Sequence, residues 1–314
     1  MKQEEFELFK CIAGMSQENL RKSLANILKK HYSNVITTKE YIIAQGEIPI
    51  ALVAHLDTVF AYGKRKIYYD REQQVIWSPH GLGADDRAGV FAILRIIQDG
   101  YRPTIIFSTD EELGCLGADK LVLDYMDMPW PIHYIIELDR QGANDCVFYS
   151  CNNPEFEEYV QKFGFVSDFG SFSDISAICP VWGIAGVNLS IGYINEHTLQ
   201  ETLHVKYWKR TVNKVEEMLR QTEIPQFPYI PRHIEYNASP YHSFDYMTCA
   251  GCGEPTDPYL VIPVDDKVFC PECSLTKIDW CNKCGAPYMI QHKDKHKCKE
   301  EKHESGIGTN SETV

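Results

Sequence analysis

The sequence predicts an α/β protein: a mixed, mostly parallel sheet sandwiched by helices, with a small cysteine-rich domain attached at the C-terminal end. Three observations predict it. Short, nearly continuous apolar runs recur through residues 1–220, as strands buried on both faces require. Segments with apolar residues at helical spacing alternate with them, the pattern of a sheet covered by crossover helices. Seven of the 12 cysteines then crowd into residues 249–298, after the alternation has stopped.

Taken in order, residues 4–12 and 17–32 carry helical patterns, and strands are expected at 34–44 and 49–55. The second strand holds Ile50-Ala51-Leu52-Val53-Ala54, a run with no polar face. A hairpin is expected over 66–77. Residues 86–99 place Val90, Phe91, Leu94 and Ile97 at helical spacing and stop at Gly100, a glycine where a helix C-cap wants one. Residues 104–108 and 133–138 read as buried strands with a helix at 116–125 between them, and 187–191 as another short strand. Residues 201–220 predict an amphipathic helix with Val205, Trp208, Val212, Val215 and Leu219 on one stripe. After Glu223 the texture changes to Pro, Tyr and His without a period. The expected division is a main domain 1–223, a linker 224–248 able to strap onto it, a cysteine-rich domain 249–298 and a disordered polar tail 299–314.

At 314 residues the chain is long enough for one large core and an appendage. A net charge of −13 argues against nonspecific binding to nucleic acid or anionic membranes. The opening Met1-Lys2-Gln3-Glu4-Glu5 is acidic and has no apolar run, so no signal peptide is expected, and no apolar stretch is long enough to span a bilayer. Cys11, Cys115, Cys146, Cys151 and Cys179 are scattered as isolated thiols. A cytoplasmic location is expected.

Five groups of acidic or imidazole residues fall at or just beyond predicted strand ends: His55-x-Asp57, Asp85-Asp86, Glu111-Glu112, Asp139 and His197. Functional groups in an open α/β sheet gather on loops at the carboxyl ends of strands, so these can converge on one cleft. Each alone has a bland reading: a surface pair, a helix cap, a solvated loop, an ion pair between Asp139 and Arg140. Together they make the inventory of a hydrolytic two-metal centre, with two imidazoles, terminal carboxylates, a bridging carboxylate and a spare one as base. Asp86 can be exchanged with Asp85, and Glu137 competes with Asp139, although strand alternation sets Glu137 one step back. Glu196 could support His197 or hold a substrate amine, and the loop at 170–176, with Ser173-Asp174, could rim the site.

The stretches Ala54-His55-Leu56-Asp57-Thr58-Val59, Gly83-Ala84-Asp85-Asp86-Arg87-Ala88-Gly89, Ser108-Thr109-Asp110-Glu111-Glu112-Leu113-Gly114, Glu137-Leu138-Asp139-Arg140 and Asn195-Glu196-His197-Thr198 resemble, in this order, the co-catalytic di-zinc exopeptidases. That superfamily includes bacterial aminopeptidases, peptidase T, carboxypeptidase G and acetylornithine deacetylase. The resemblance implies that His55 and Asp139 bind one metal, Glu112 and His197 the other, and that Asp85 bridges them. It implies that Asp57 orients the His55 imidazole, that Glu111 is the general base acting on the metal-bridging water, and that Asp85–Asp86 is a cis peptide. The metals implied are two catalytic zinc ions, with manganese or cobalt as substitutes. Only 57 residues separate Asp139 from His197, too few for the separate lid domain of carboxypeptidase G and peptidase T. Oxyanion donors from a lid are therefore not expected, and Tyr193 is a candidate replacement.

Cys249-x2-Cys252 and Cys270-x2-Cys273, 17 residues apart, resemble a zinc ribbon, in which two knuckles hold one structural zinc. Cys281-x2-Cys284, with Cys298 and either His292 or His296, offers a second structural site. Six Lys and seven Asp/Glu nearly cancel over 249–298, which favours a protein partner over nucleic acid. The expected function is an aminopeptidase acting on peptides. The rivals are a deacylase of N-acyl compounds, using Arg87 or Arg140 to clamp a carboxylate, and an adaptor using the cysteine-rich module.

Overall fold

The computed structural model describes residues 1–60, 63, 65–127, 130–231, 247–256, 262–264, 267–281, 283 and 286–295. The chain forms two compact units, Met1–Ile234 and Glu235–Val314. The first opens with helices α1 (Gln3–Gly14) and α2 (Gln17–Leu28) and strands β1 (Val35–Thr37), β2 (Tyr41–Ala44) and β3 (Ile48–His55). A hairpin of β4 (Tyr68–Asp70) and β5 (Val75–Trp77) precedes α3 (Ala84–Gln98), β6 (Pro103–Ser108), α4 (Leu116–Asp124) and β7 (Tyr134–Arg140). Then come β8 (Asp145–Val147), α5 (Pro154–Gln161), β9 (Val166–Ser167), α6 (Asp174–Trp182) and β10 (Gly186–Ser190). The unit continues with β11 (Tyr193–Ile194), β12 (Thr202–His204) and α7 (Val205–Leu219).

Eight strands make one sheet in the order β1-β2-β6-β3-β7-β10-β8-β9. The four central strands, β6, β3, β7 and β10, run parallel. Alternation along β3 sends Ile50, Leu52 and Ala54 into one core with α1, α2, α3, α5 and α7. Ala51 and Val53 enter a second core with α4 and α6 on the other face. The mixed, mostly parallel sheet between helical layers is the architecture the sequence predicts.

Helix α3 is buried along nearly its whole length. Gly89 lets it approach β7: a Cβ there would lie 2.3 Å from the Leu138 carbonyl oxygen. From the other side Trp208 of α7 donates its indole N–H to the Ala88 carbonyl at 3.1 Å and stacks on Phe91 with ring centroids 4.4 Å apart.

Several elements differ from expectation. The strand expected at 34–44 is split into β1 and β2, because the Thr38 hydroxyl accepts the N–H groups of Glu40 and Tyr41 and turns the chain. The helix expected from 201 starts at Val205, since Thr202–His204 pairs with β5. Residues 174–176, expected as loop, open α6, and β8, α5 and β9 carry no clear sequence signal. Residues 224–231 lie on the first unit: Phe227 N–H donates to the His133 carbonyl and the Phe227 carbonyl accepts from Ala185. The Phe227 ring sits 4.9 Å from that of Phe156. Among the described residues no helix is long and apolar enough to cross a membrane.

The second unit contains hairpins β13 (Met247–Thr248) with β14 (Pro255–Thr256), and β15 (Ile262–Val264) with β16 (Lys267–Phe269). Helix α8 (Pro271–Lys277) leads into a third, β17 (Ile278–Trp280) with β18 (Pro287–Met289). Val264, Phe269, Ile278 and Met289 form its small core with Cys249. The tail at 299–314 lies outside the described residues.

Replacing Trp208 with Ala removes the stacked ring and the indole donor that hold α3. The expected loss is about 3–5 kcal/mol, read by urea denaturation of the whole chain.

Candidate metal centre

His55 ends β3 and is fully buried. Its Nδ1 lies 3.1 Å from Asp57 Oδ1 and its Nε2 3.0 Å from Asp85 Oδ1. Asp57 also accepts the backbone N–H groups of Glu111 and Glu112, at 3.1 and 3.0 Å. One carboxylate thus aims the imidazole and fixes the Glu-Glu loop. Burial pushes Asp57 up, but the His55 ring and these N–H groups outweigh it and hold the carboxyl below its ordinary range.

Asp85 and Asp86 open α3 with non-helical dihedrals, joined by a cis peptide bond. The other oxygen of Asp85, Oδ2, lies 3.2 Å from His197 Nε2. Asp86 turns away, its Oδ1 accepting the Gly89 N–H at 2.9 Å. Glu112 places its two carboxylate oxygens 3.0 and 2.9 Å from His197 Nε2. His197 stands in the left-handed region, φ 60°.

Asp139, near the end of β7, brings Oδ1 to 3.5 Å from His55 Nε2. The same oxygen accepts from the Tyr193 hydroxyl and Oδ2 from the Ser173 hydroxyl, each at 3.1 Å. Tyr193, the sequence candidate for an oxyanion donor, is thereby committed to orienting Asp139. Asn188 clasps the same backbone, accepting from Asp139 N–H and donating to its carbonyl. Glu137 is fully buried and lies outside both donor clusters. Glu111 stands beside them, with Oε2 3.9 Å from His55 Nε2 and Oε1 accepting from the Cys115 thiol.

The donor atoms therefore form two triads, His55–Asp85–Asp139 and Asp85–Glu112–His197, sharing Asp85. Burial and Asp85 raise Asp139 to about 6 and Glu112 to about 7. Burial and Asp139 raise Glu111 to about 8. Burial alone would depress His55, but Asp139, Asp57 and Asp85 hold it well above its ordinary value. Its hydrogen bond to Asp85, with Glu112 beyond, lifts His197 to about 9 against partial burial. Among themselves the carboxylates oppose one another's ionisation, and cations between them reverse that balance. Bonds of about 2.0–2.1 Å to one four-coordinate ion put donors about 3.3 Å apart, and the imidazole–carboxylate distances of 2.9–3.5 Å bracket that value, so the residues fit divalent metals.

Sequence reasoning had no signal for Asn188 or for Glu201, a buried carboxylate that accepts backbone N–H groups from Gly83, Ala84 and Asp85. Each acts across more than 45 residues and belongs to no motif.

In the second unit the sulfurs of Cys249, Cys252, Cys270 and Cys273 converge as another donor set. Cys252 and Cys270 Sγ are 4.0 Å apart, near the edge of a tetrahedral thiolate site. The N–H groups of Cys270 and Gly251 point at Cys249 Sγ from 3.2 and 3.3 Å. With the Cys270 N–H foremost, they draw that thiol down to about 6. Cys281 bonds through its N–H to the Ala286 carbonyl. Cys284, His296, Cys298 and the His292 side chain lie outside the described residues.

The shared carboxylate makes a stoichiometric prediction. If each triad holds one ion, Asp85→Ala should remove two equivalents of metal from the first unit, whereas Asp139→Ala and His197→Ala should each remove one. Metal analysis of the dialysed variants beside wild type checks it.

No family model matches the chain, and none of the curated proteins matches it significantly. Solved structures do. Aminopeptidase PepT from Bacillus cereus ATCC 10987 superposes with a TM-score of 0.53 at 16% identity, over 68% of this chain and 97% of that one. A tripeptidase from Staphylococcus aureus subsp. aureus Mu50 gives 0.54 at 16%, over 68% and 96%. The TET aminopeptidase of the marine sediment archaeon Thaumarchaeota archaeon SCGC AB-539-E09 gives 0.55 at 13%, over 71% and 98%. At these identities the likeness concerns the fold, and the chain has the fold of these aminopeptidases.

Proposed function

We propose that the protein is a metallo-exopeptidase, an aminopeptidase with two zinc ions in its centre. His55 and Asp139 would hold one ion, Glu112 and His197 the other, and Asp85 both. The observation that carries the reading is the sharing of Asp85 between two imidazole-containing triads, with the Glu111 carboxylate left beside them. Bound there, the ions would polarise the scissile carbonyl and lower the pKa of water.

The chain's own residues supply the rest. Glu111, outside both triads, takes the proton of the attacking water and returns it to the departing amine. Asp57 keeps the His55 ring and the Glu111–Glu112 backbone in register. Tyr193 and Ser173 hold Asp139. Both arginines considered for clamping a substrate carboxylate have partners within the protein. Arg87 is fully buried and donates to the Ile12 carbonyl, and Arg140 pairs with Asp168. The free-amine reading needs no such clamp.

In the second unit, Cys249, Cys252, Cys270 and Cys273 would hold a structural zinc. Cys281, Cys284 and Cys298, with His292 or His296, are proposed for a second, and the module would present a surface to a protein partner. A cytoplasmic, reducing setting suits the free, buried thiols of Cys115, Cys146, Cys151 and Cys179.

The test is amino-acid release from a mixed library of free-amine and N-acylated peptides. Wild type should cleave the free-amine peptides, and Glu111→Ala should be slower by about 10²–10⁴-fold while retaining its metals. Cleavage confined to blocked peptides would move the protein to the deacylases. Absence of Glu111-dependent turnover in metal-loaded protein would overturn the hydrolytic reading.

A further inference from the structure

The loop after β11 does two jobs at its two ends. At one end is His197, within 3.2 Å of Asp85 Oδ2. Four residues on is Glu201, only 1% exposed although it carries a carboxylate. Its Oε2 accepts from the N–H groups of Gly83 and Ala84, and its Oε1 from Asp85 N–H at 3.1 Å. Gly83 is in the left-handed conformation, φ 66°, which helps bring three successive N–H groups onto one acceptor. These are the first donors of α3, left without intrahelical partners. The loop is braced internally: Thr198 Oγ1 donates to the Asn195 carbonyl at 2.8 Å and Glu201 N–H to the Thr198 carbonyl at 3.1 Å.

We propose that Glu201 is a positioning residue that sets the spacing between Asp85 and His197, and so the fit of the metal held by Asp85, Glu112 and His197. Resting on the two-metal reading above, the inference follows from connectivity. His197 belongs to the loop and Asp85 to the start of α3, and Glu201 ties loop to helix start. His55 and Asp139, the other ligands of the first triad, come from β3 and β7, whose sheet pairing does not involve Glu201. Its loss should therefore weaken the site of Asp85, Glu112 and His197 most, the other site feeling it only through Asp85. Gln at this position keeps one acceptor but turns its NH₂ group toward N–H donors.

Manganese is a suitable probe, because carboxylate and imidazole ligands accept it while thiolates favour softer metals. The full-length protein, stripped of metal, is titrated with Mn²⁺ and followed by calorimetry and electron paramagnetic resonance. Wild type should take up two ions in the first unit and show the spectrum of a coupled pair. Glu201→Gln should bind its weaker ion about 10–100-fold less tightly, bind the other with a clearly smaller loss, and show an isolated ion at concentrations where wild type is paired. Glu201→Asp, which keeps the charge but falls short of three donors, should show a smaller loss at the same site, and serves if the Gln variant does not fold. The melting temperature gained on metal loading should shrink in both. Unchanged affinities would overturn the proposal, as would equal weakening of both ions or a lower melting temperature of the metal-stripped protein with metal binding intact. Wild type that takes up fewer than two ions would instead overturn the two-metal reading.

Discussion

One carboxylate facing two ways is the constraint on which the centre depends. Asp85 turns one oxygen to His55 and the other to His197, and its side chain is too short to keep both contacts if its backbone shifts. The fold holds that backbone from every side. Helix α3 is buried between sheet and α7, with Gly89 against β7 and Trp208 bonded to the Ala88 carbonyl. The precision of the centre is thus inherited from core packing rather than from the loops alone.

The parallel arrangement supplies the convergence. Strands β6, β3 and β7 are neighbours running the same way, so their C-terminal ends emerge on one edge about 4.8 Å apart. Register places His55 opposite Ser108, and the Glu111–Glu112 loop then starts beside the imidazole it serves. Asp57 closes the remaining gap by accepting both N–H groups of that loop. Packing thus brings together groups that repel one another, as a metal-binding centre requires.

The residues that face the centre were legible in the sequence because each follows a strand whose apolar run is itself legible. The alternation from Ile50 to Ala54 places His55, and the run before Leu138 places Asp139. Asn188 and Glu201 were not legible, since each acts on a segment far away in sequence and only the folded topology makes them neighbours. Tyr193 was noticed but given another task, because the sequence shows a phenol near the site and not the Asp139 oxygen it bonds. Helix α6 was hidden by its start in a Gly/Ser-rich stretch and by Pro180 within it. The side chains of Asp85 and Asp86, interchangeable in the sequence, part in the structure: one faces the imidazoles, the other caps Gly89.

The two imidazoles also differ in how they meet solvent. The His55 side chain is 1% exposed and the His197 side chain 49%. If each triad holds an ion, the one beside His55 meets a buried imidazole and the one beside His197 a half-exposed one. The candidate centre thus has a sheltered imidazole and an open one. Ions held there would then exchange with solution at different rates, the faster at the exposed imidazole.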